Sequence, residues 1–212
     1  MSKLSKLKVG VDVPWVTSWS DEAVLGVRPC STVNGSLAVF QEENPGAGRP
    51  QYSRNHMRRQ RLSVRDMLCP MCGAPTHSGD RWLQTARFTY AGELRARNLG
   101  HLLPPDITDG RRLLNAGSIA PLHLACAQRS VMHCPHLRGM EDTELKAFPR
   151  TWFVTPLLIE ARPPSLAIAL APPASVPVIS FLQLCGVTDD NGDGSRQPDL
   201  GAKGGQRPPS RN

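Results

Sequence analysis

Two pairs of potential metal ligands restrict how this 212-residue chain can fold more than any other feature of its sequence. Cys69 and Cys72 are separated by two residues, and so are His123 and Cys126. That spacing lets two soft ligands reach one metal ion from a single turn, and a tetrahedral zinc site commonly uses two such pairs. The sequence therefore predicts a zinc-binding module that holds Zn2+ in a structural role.

The residues around the first pair favour a zinc knuckle, a tight turn whose backbone N–H groups face the two thiolates. Pro70 fixes φ at about −65°, and Gly73 admits the positive φ that such a turn requires. A thiol–disulfide motif would need a long helix starting at Cys69, whereas residues 74–80 are rich in turn formers. Two reduced cysteines without a shared metal are the other alternative.

The second pair lies at the start of a short helix that residues 125–132 predict. Backbone N–H groups at a helix N-terminus stabilise the negative charge of thiolate ligands. Within residues 81–90, apolar and aromatic residues among polar ones predict a hairpin strand. A knuckle, a hairpin and a helix that supplies the last two ligands form a treble clef. The alternative is a helix with a capping histidine and a core cysteine.

Cys134 is a fifth candidate ligand, at the point where Pro135 ends the predicted helix. Zinc takes four ligands, so we favour the two spaced pairs. The main competitor replaces His123 by Cys134 and gives an all-thiolate site. Cys30 and Cys185 are far away in sequence, and we expect them to be buried thiols.

Three stretches around these ligands resemble a group of small uncharacterised zinc-knuckle proteins of high-GC Gram-positive bacteria and their phages. They are Leu-Cys-Pro-Met-Cys-Gly at 68–73, Ala-Pro-Leu-His-Leu-Ala-Cys-Ala at 120–127 and Cys-Pro-His-Leu at 134–137. The resemblance covers residues 60–138. Many members have cysteine in place of His123, which implies that this histidine is a ligand. The group has no established activity, so the resemblance implies a metal site and a phage or actinobacterial origin, but no substrate.

The predicted fold class is α+β, with a small treble-clef-like zinc-binding core, β-hairpins and short helices. Asn34-Gly35 is the strongest hairpin signal, between strands at 24–30 and 36–41. Apolar periodicity and turn residues predict the other elements. These are helices at 55–68, 93–99, 111–116 and 141–147, and two strands at 151–161 and 175–187 that pair with each other.

Four segments follow from this pattern: an N-terminal extension at 1–54, the zinc-binding core at 55–148, a β-rich segment at 149–187 and a disordered tail at 188–212. Gly, Pro, Asp, Arg and Ser dominate the tail. No secretory signal is expected, because Gly10, Asp12 and Pro14 interrupt the apolar residues at 9–16. No membrane span is expected, because no uninterrupted apolar run approaches about 18 residues. Six cysteines without an export signal favour a reducing, cytoplasmic location.

Basic residues are concentrated just before the knuckle, with six arginines within residues 49–65. Arg58, Arg59 and Arg61 are the predicted nucleic-acid contacts, because guanidinium groups bind phosphate through paired hydrogen bonds. The alternative is a solvated helix face whose arginines pair with Glu42, Glu43 or Asp66. The net charge of +7 is compatible with either.

These observations predict a non-catalytic module that binds DNA, RNA or a protein partner, without a membrane or a small-molecule substrate. The alternative is a nuclease of the HNH type, which also uses a treble clef. Its candidate catalytic residues would be His101, Asp106, Asp109 and Asn115. Their order along the chain does not match that motif, so we do not expect an enzyme.

Overall fold

The computed structural model describes residues 4–139, 144–159 and 176–188. Within these ranges the fold mixes strands with four α-helices, which confirms the α+β class. The strands are β1 (Thr17–Trp19), β2 (Val24–Pro29), β3 (Leu37–Gln41), β4 (Pro50–Asn55), β5 (Trp82–Leu83), β6 (Arg87–Tyr90), β7 (Arg112–Gly117), β8 (Lys146–Ala147), β9 (Thr151–Leu158) and β10 (Ile179–Val187). The α-helices are α1 (Met57–Arg65), α2 (Ala91–Ala96), α3 (Leu124–His133) and α4 (Pro135–Arg138).

A six-stranded sheet in the order β2-β3-β10-β7-β6, with β9 also paired to β10, organises the fold. It takes strands from the predicted segments 1–54, 55–148 and 149–187, so these three share one sheet. Two small antiparallel pairs, β1–β4 and β5–β8, lie outside it. No helix in the described residues is both long and apolar enough to cross a membrane.

Apolar clusters cover both faces of this sheet. Val64 of α1 packs with Leu114 and Leu184 on one face. Ala91 of α2 packs with Leu113 and Cys185 on the other. Neighbouring residues of β7 and of β10 enter opposite clusters because successive side chains of a strand point to opposite faces.

Helix α1 also completes the hydrogen bonding of the sheet. Strand β10 pairs with β3 at Ile179 and with β7 only from Leu184 onward. Between these contacts the amide of Gln60 takes the place of a strand. Its Nε2 donates to the carbonyl of Leu182 at 2.7 Å, and its Oε1 accepts from the Leu182 N–H at 3.0 Å.

Several predicted elements are present in the structure. Strands β2 and β3 pair antiparallel, and Asn34 and Gly35 between them have left-handed φ values of 53° and 79°. Helix α1 lies inside the predicted range 55–68. Strands β9 and β10 pair with each other as expected. The local sequence of each of these elements favours the structure that it adopts, and contacts with the rest of the fold do not change it.

Two predicted helices are wrong. The helix predicted at 111–116 is replaced by strand β7 (Arg112–Gly117), because the consecutive Leu113 and Leu114 are buried on opposite faces between β6 and β10. In the range 141–147, the described end is strand β8 paired with β5, while 141–143 lie outside the described residues. The predicted tail also lies outside them beyond Thr188.

Candidate metal centre

The structure brings Cys69, Cys72, His123 and Cys126 together. One ligand atom from each side chain lies within 4.8 Å of all the others. His123 Nδ1 is 3.5 Å from Cys72 Sγ and 4.0 Å from Cys126 Sγ. Zinc bonds of about 2.0–2.3 Å place tetrahedral donors about 3.5–3.8 Å apart, so the cluster is slightly wider than a zinc-bound one. The arrangement is compatible with one metal ion.

Cys134 is separated from this cluster. It caps the C-terminal end of α3, where its N–H donates to the carbonyl of Ser130 at 2.9 Å. It follows Cys126 by eight positions, which is about 12 Å along the helix axis. The alternative all-thiolate site, with Cys134 in place of His123, is therefore not formed in this structure.

The first two ligands lie on a tight turn. The Gly73 N–H donates to the Cys69 carbonyl, and the Cys69 N–H donates to the Ala74 carbonyl, both at 2.8 Å. Gly73 has a φ of +78°, as the knuckle prediction requires. A Cβ at this position would lie 2.9 Å from the ring of Trp15, so glycine also allows close packing.

Trp15 belongs to an N-terminal arm, residues 8–16, which runs along the knuckle. The Trp15 N–H donates to the Met71 carbonyl at 2.8 Å, and the Val16 N–H donates to the Pro70 carbonyl at 3.0 Å. Arg129 of α3 also donates to the carbonyl of Gly10 in this arm, at 3.4 Å. The arm therefore contacts both ligand-bearing segments.

The other two ligands lie at the start of α3, and a distant residue caps that helix. His123 is the N-cap residue, but its side chain does not cap the helix. Instead Asp80 Oδ1 accepts the Leu124 N–H at 2.7 Å. A carboxylate at this end of the helix also interacts favourably with the helix dipole. The imidazole of His123 is therefore available to the cysteine cluster instead of capping the helix.

The orientation of His123 suits metal binding. Its Nε2 lies 3.1 Å from the carbonyl oxygen of Pro75, which can only accept a hydrogen bond. Nε2 therefore carries the proton in the neutral ring, and Nδ1 presents its lone pair to Cys72 and Cys126. Metal-bound histidines usually have such a partner on the second nitrogen.

An apolar layer surrounds the sulfur atoms. Cys69 is fully buried with Trp82, Leu122 and Ala127, whereas Cys72 and the two ligands from α3 are half-buried. Trp82 and Leu122 exchange two backbone hydrogen bonds of 2.9 Å. This bridge joins β5 to the residues that precede α3, so the layer fixes the distance between the two ligand pairs.

The acidities of the three thiols differ. Burial raises the pKa of Cys69. Burial, followed by the charges of the other two cysteines, raises the pKa of Cys126 to about 12. Burial also opposes ionisation of Cys72, but hydrogen bonds from the Ala74 backbone and neighbouring side chains leave its pKa lowered. Three thiolates in one cluster repel each other, and a divalent cation removes that repulsion.

The predicted nucleic-acid contacts need a correction, because Arg59 is buried rather than exposed. Only 1% of its surface is accessible. Its guanidinium donates to both carboxylate oxygens of Glu22, at 2.7 and 2.8 Å, and to the carbonyl of Thr17. These acceptors compensate the buried charge, and the side chain is not available to a phosphate.

Arg61 is buried to the same extent, also with 1% exposure. It donates to the carbonyls of Ser180 and Val39 and to the hydroxyl of Thr32. Arg58 is the exposed member of the three, and its Nη1 lies 2.5 Å from Glu43 Oε2, a pairing that the alternative interpretation included. The three arginines therefore do not form one exposed cluster.

The other singled-out residues lie elsewhere. His101 contacts the Asn98 carbonyl, Asp109 pairs with Arg95, and Asn115 accepts the Gly117 N–H, so none of these nuclease candidates joins the cysteine cluster. Asp106 lies in the turn before β7 and belongs to no group of potential metal ligands in the described residues. Cys185 is buried as predicted, whereas Cys30 is half-buried.

Sequence reasoning missed Asp80 and the carbonyl of Pro75, because both act on residues more than 40 positions away.

No protein-family model, curated protein or solved structure matches the chain. Among the residues that the structure describes, Cys69, Cys72, His123 and Cys126 are the single group of His, Cys, Asp or Glu side chains close enough to share a metal.

Proposed function

We propose that this protein is a zinc-binding module in which the metal has a structural role, and that it acts by binding a macromolecule rather than by catalysis. One observation carries the proposal. Four ligand atoms from two segments of the chain, at 69–72 and 123–126, lie within 4.8 Å of one another.

The types of ligand favour zinc over other metals. Three thiols and one imidazole are typical of structural zinc sites, and zinc accepts them in the tetrahedral geometry that four protein ligands provide. Calcium and magnesium prefer oxygen ligands, which the cluster lacks. Iron–sulfur clusters usually have four cysteines, and Cys134 is too remote to supply the fourth.

A structural role follows from the number of ligands and from what they connect. Four protein ligands fill a tetrahedral zinc ion and leave no position for a water nucleophile. The metal would join the knuckle to the N-terminus of α3, and the N-terminal arm lies against both. Its binding free energy would then contribute directly to folding.

The order of elements supports a treble-clef-like core as the finer description. The knuckle is followed by β5, and the residues just before α3 bridge back to β5 through Trp82 and Leu122. Residues 84–121 lie in the sequence between β5 and the residues before α3. They are outside this core and contribute β6, α2 and β7 to the fold. The proposed core is therefore a treble clef with an insertion.

Cobalt substitution tests the proposed ligand set. We expect Co2+ to replace the native metal and to give the visible bands of a tetrahedral ion with thiolate-to-cobalt charge transfer. Cys69→Ser and Cys126→Ser should each weaken the charge-transfer band and the affinity for Co2+. Cys134→Ser is the matched control, since it makes the same change at a cysteine outside the cluster. Equal losses in all three variants would contradict the assignment.

Chelation tests the structural role. We expect a strong chelator to lower the melting temperature of the central region, because metal binding is coupled to folding. A thermal melt that is identical with and without metal would contradict the proposal. The Cys134→Ser variant should respond to the chelator in the same way as the unmodified protein.

A further inference from the structure

An exposed pair of aromatic rings lies on β6, at one edge of the six-stranded sheet. Phe88 is 38% exposed and Tyr90 is 50% exposed. They are two residues apart on one strand, so both side chains point to the same face and their Cα atoms are about 7 Å apart. Two large rings on the same face of an edge strand give this edge an exposed aromatic surface.

Arg112 of β7 completes this surface, which we call the β6 platform and define as Phe88, Tyr90 and Arg112. Arg112 pairs with Tyr90 across the two strands. Its guanidinium lies 3.5 Å from the centroid of the Phe88 ring, in a cation–π contact. The platform therefore has a positive charge next to its aromatic rings.

Next to the platform, the same face of the sheet is covered. Leu114, which pairs with Phe88, is buried in the cluster that includes Val64 of α1. The other face carries α2, whose Ala91 packs with Leu113. The β6 platform therefore lies on the face of the sheet that carries α1, just beyond the packed cluster.

We propose that the β6 platform binds single-stranded nucleic acid. Unpaired bases stack on aromatic rings and on guanidinium planes, and cationic side chains attract the phosphates. The Tyr90 ring and the Arg112 guanidinium stacked on Phe88 offer both contacts. The overall charge of +7 adds a favourable long-range attraction. The proposal rests on the binding role inferred above and deepens it by naming the class of partner and the surface.

The chemistry of the platform also restricts the form of the nucleic acid. Bases in a duplex are already paired and stacked, so their faces are not available to Phe88 and Tyr90. Stacking and phosphate contacts do not involve the 2′-hydroxyl, which is the group that distinguishes RNA from DNA. We therefore expect similar binding of single-stranded DNA and RNA, and weaker binding of duplex DNA.

Fluorescence anisotropy with labelled oligothymidylate and oligouridylate, at several salt concentrations, tests this proposal with the full-length, metal-loaded protein. Replacement of both rings, Phe88→Ala and Tyr90→Ala, should weaken binding by about tenfold or more per ring. Arg112→Ala should reduce the slope of log affinity against log salt by about 0.7, the value for one phosphate contact with a single strand.

Two matched controls lie elsewhere on the surface. Arg28 stacks over Phe40 at the opposite edge of the same sheet, with 3.1 Å between Cζ and the ring centroid. Tyr52 is 64% exposed on β4. Arg28→Ala and Tyr52→Ala should leave the affinity within about twofold, whereas losses equal to those of the platform variants would overturn the proposal. No binding by the unmodified protein at micromolar concentration and low salt would also overturn it.

Metal content and circular dichroism are measured on each variant to separate the two proposals. A variant that keeps its fold and its zinc but loses binding supports the β6 platform. An unmodified protein that contains zinc but binds no single strand contradicts the platform alone. A protein that binds single strands through the platform without containing zinc contradicts the metal proposal alone.

Discussion

The buried ion pair between Glu22 and Arg59 allows a quantitative prediction about stability. Glu22 Oε1 and Oε2 accept from the Arg59 guanidinium at 2.7 and 2.8 Å. The same carboxylate accepts the Trp19 N–H at 2.7 Å and the Asn44 N–H at 3.2 Å. One side chain therefore satisfies four donors in the part of the fold where β1 meets α1.

Glu22→Ala would leave a guanidinium in the protein interior without its counter-charge. Removing one partner of a buried ion pair costs about 3–5 kcal/mol, because the remaining charge stays desolvated. For a chain of this length, each kcal/mol lowers the melting temperature by about 2–4 °C. We therefore expect the melting temperature to fall by about 10 °C, and the urea midpoint to fall accordingly.

Urea unfolding followed by tryptophan fluorescence measures this change, and the chain provides a matched control. Glu43→Ala removes the same side chain from Arg58, but that pair is about 40% exposed on the surface. Exposed ion pairs contribute about 0–1 kcal/mol. A Glu22→Ala variant that is destabilised no more than Glu43→Ala would refute the conclusion that Arg59 is a buried structural residue.

Three further predictions concern single side chains. Burial, followed by the charge of the Arg59 guanidinium, lowers the pKa of His56 below its ordinary 6.5. The stability that neutral His56 contributes should therefore be complete above about pH 6.5 and lost as the pH falls below that value. The urea midpoint of the His56→Gln variant should depend less on pH than that of the unmodified protein. Gln60→Leu should cost about 3 kcal/mol in urea unfolding, because the N–H and carbonyl of Leu182 lose their partner. Asp80→Ala should cost about 1 kcal/mol in thermal unfolding by uncapping Leu124, and Asp80→Asn should restore most of it.

Local patterns in the sequence were sufficient for the hairpin at Asn34-Gly35 and for helix α1, because the residues that determine them are neighbours. They were also sufficient to select the four residues of the cysteine and histidine cluster, since two ligands with a fixed spacing must lie on the same turn. The pairing of Cys72 with His123 spans 51 residues, but each pair defines its own half of the site.

Long-range contacts explain the predictions that are wrong. Arg59 follows the exposed Arg58 in a basic stretch, but its partner Glu22 is 37 residues away and has no local signal. Gln60 replaces a strand next to β10 at a separation of 122 residues. Leu113 and its neighbours would suit a helix by composition, but pairing with β6 and β10 on both sides makes them a strand.

Metal stoichiometry tests the central claim most directly. Native mass spectrometry, together with elemental analysis of the purified full-length protein, counts the metal ions bound to each chain. We predict one zinc ion per chain, none in the double variant Cys69→Ser and Cys126→Ser, and one in Cys134→Ser. A chain that contains no zinc when purified under reducing conditions with zinc supplied, or a double variant that keeps its zinc, would contradict the account.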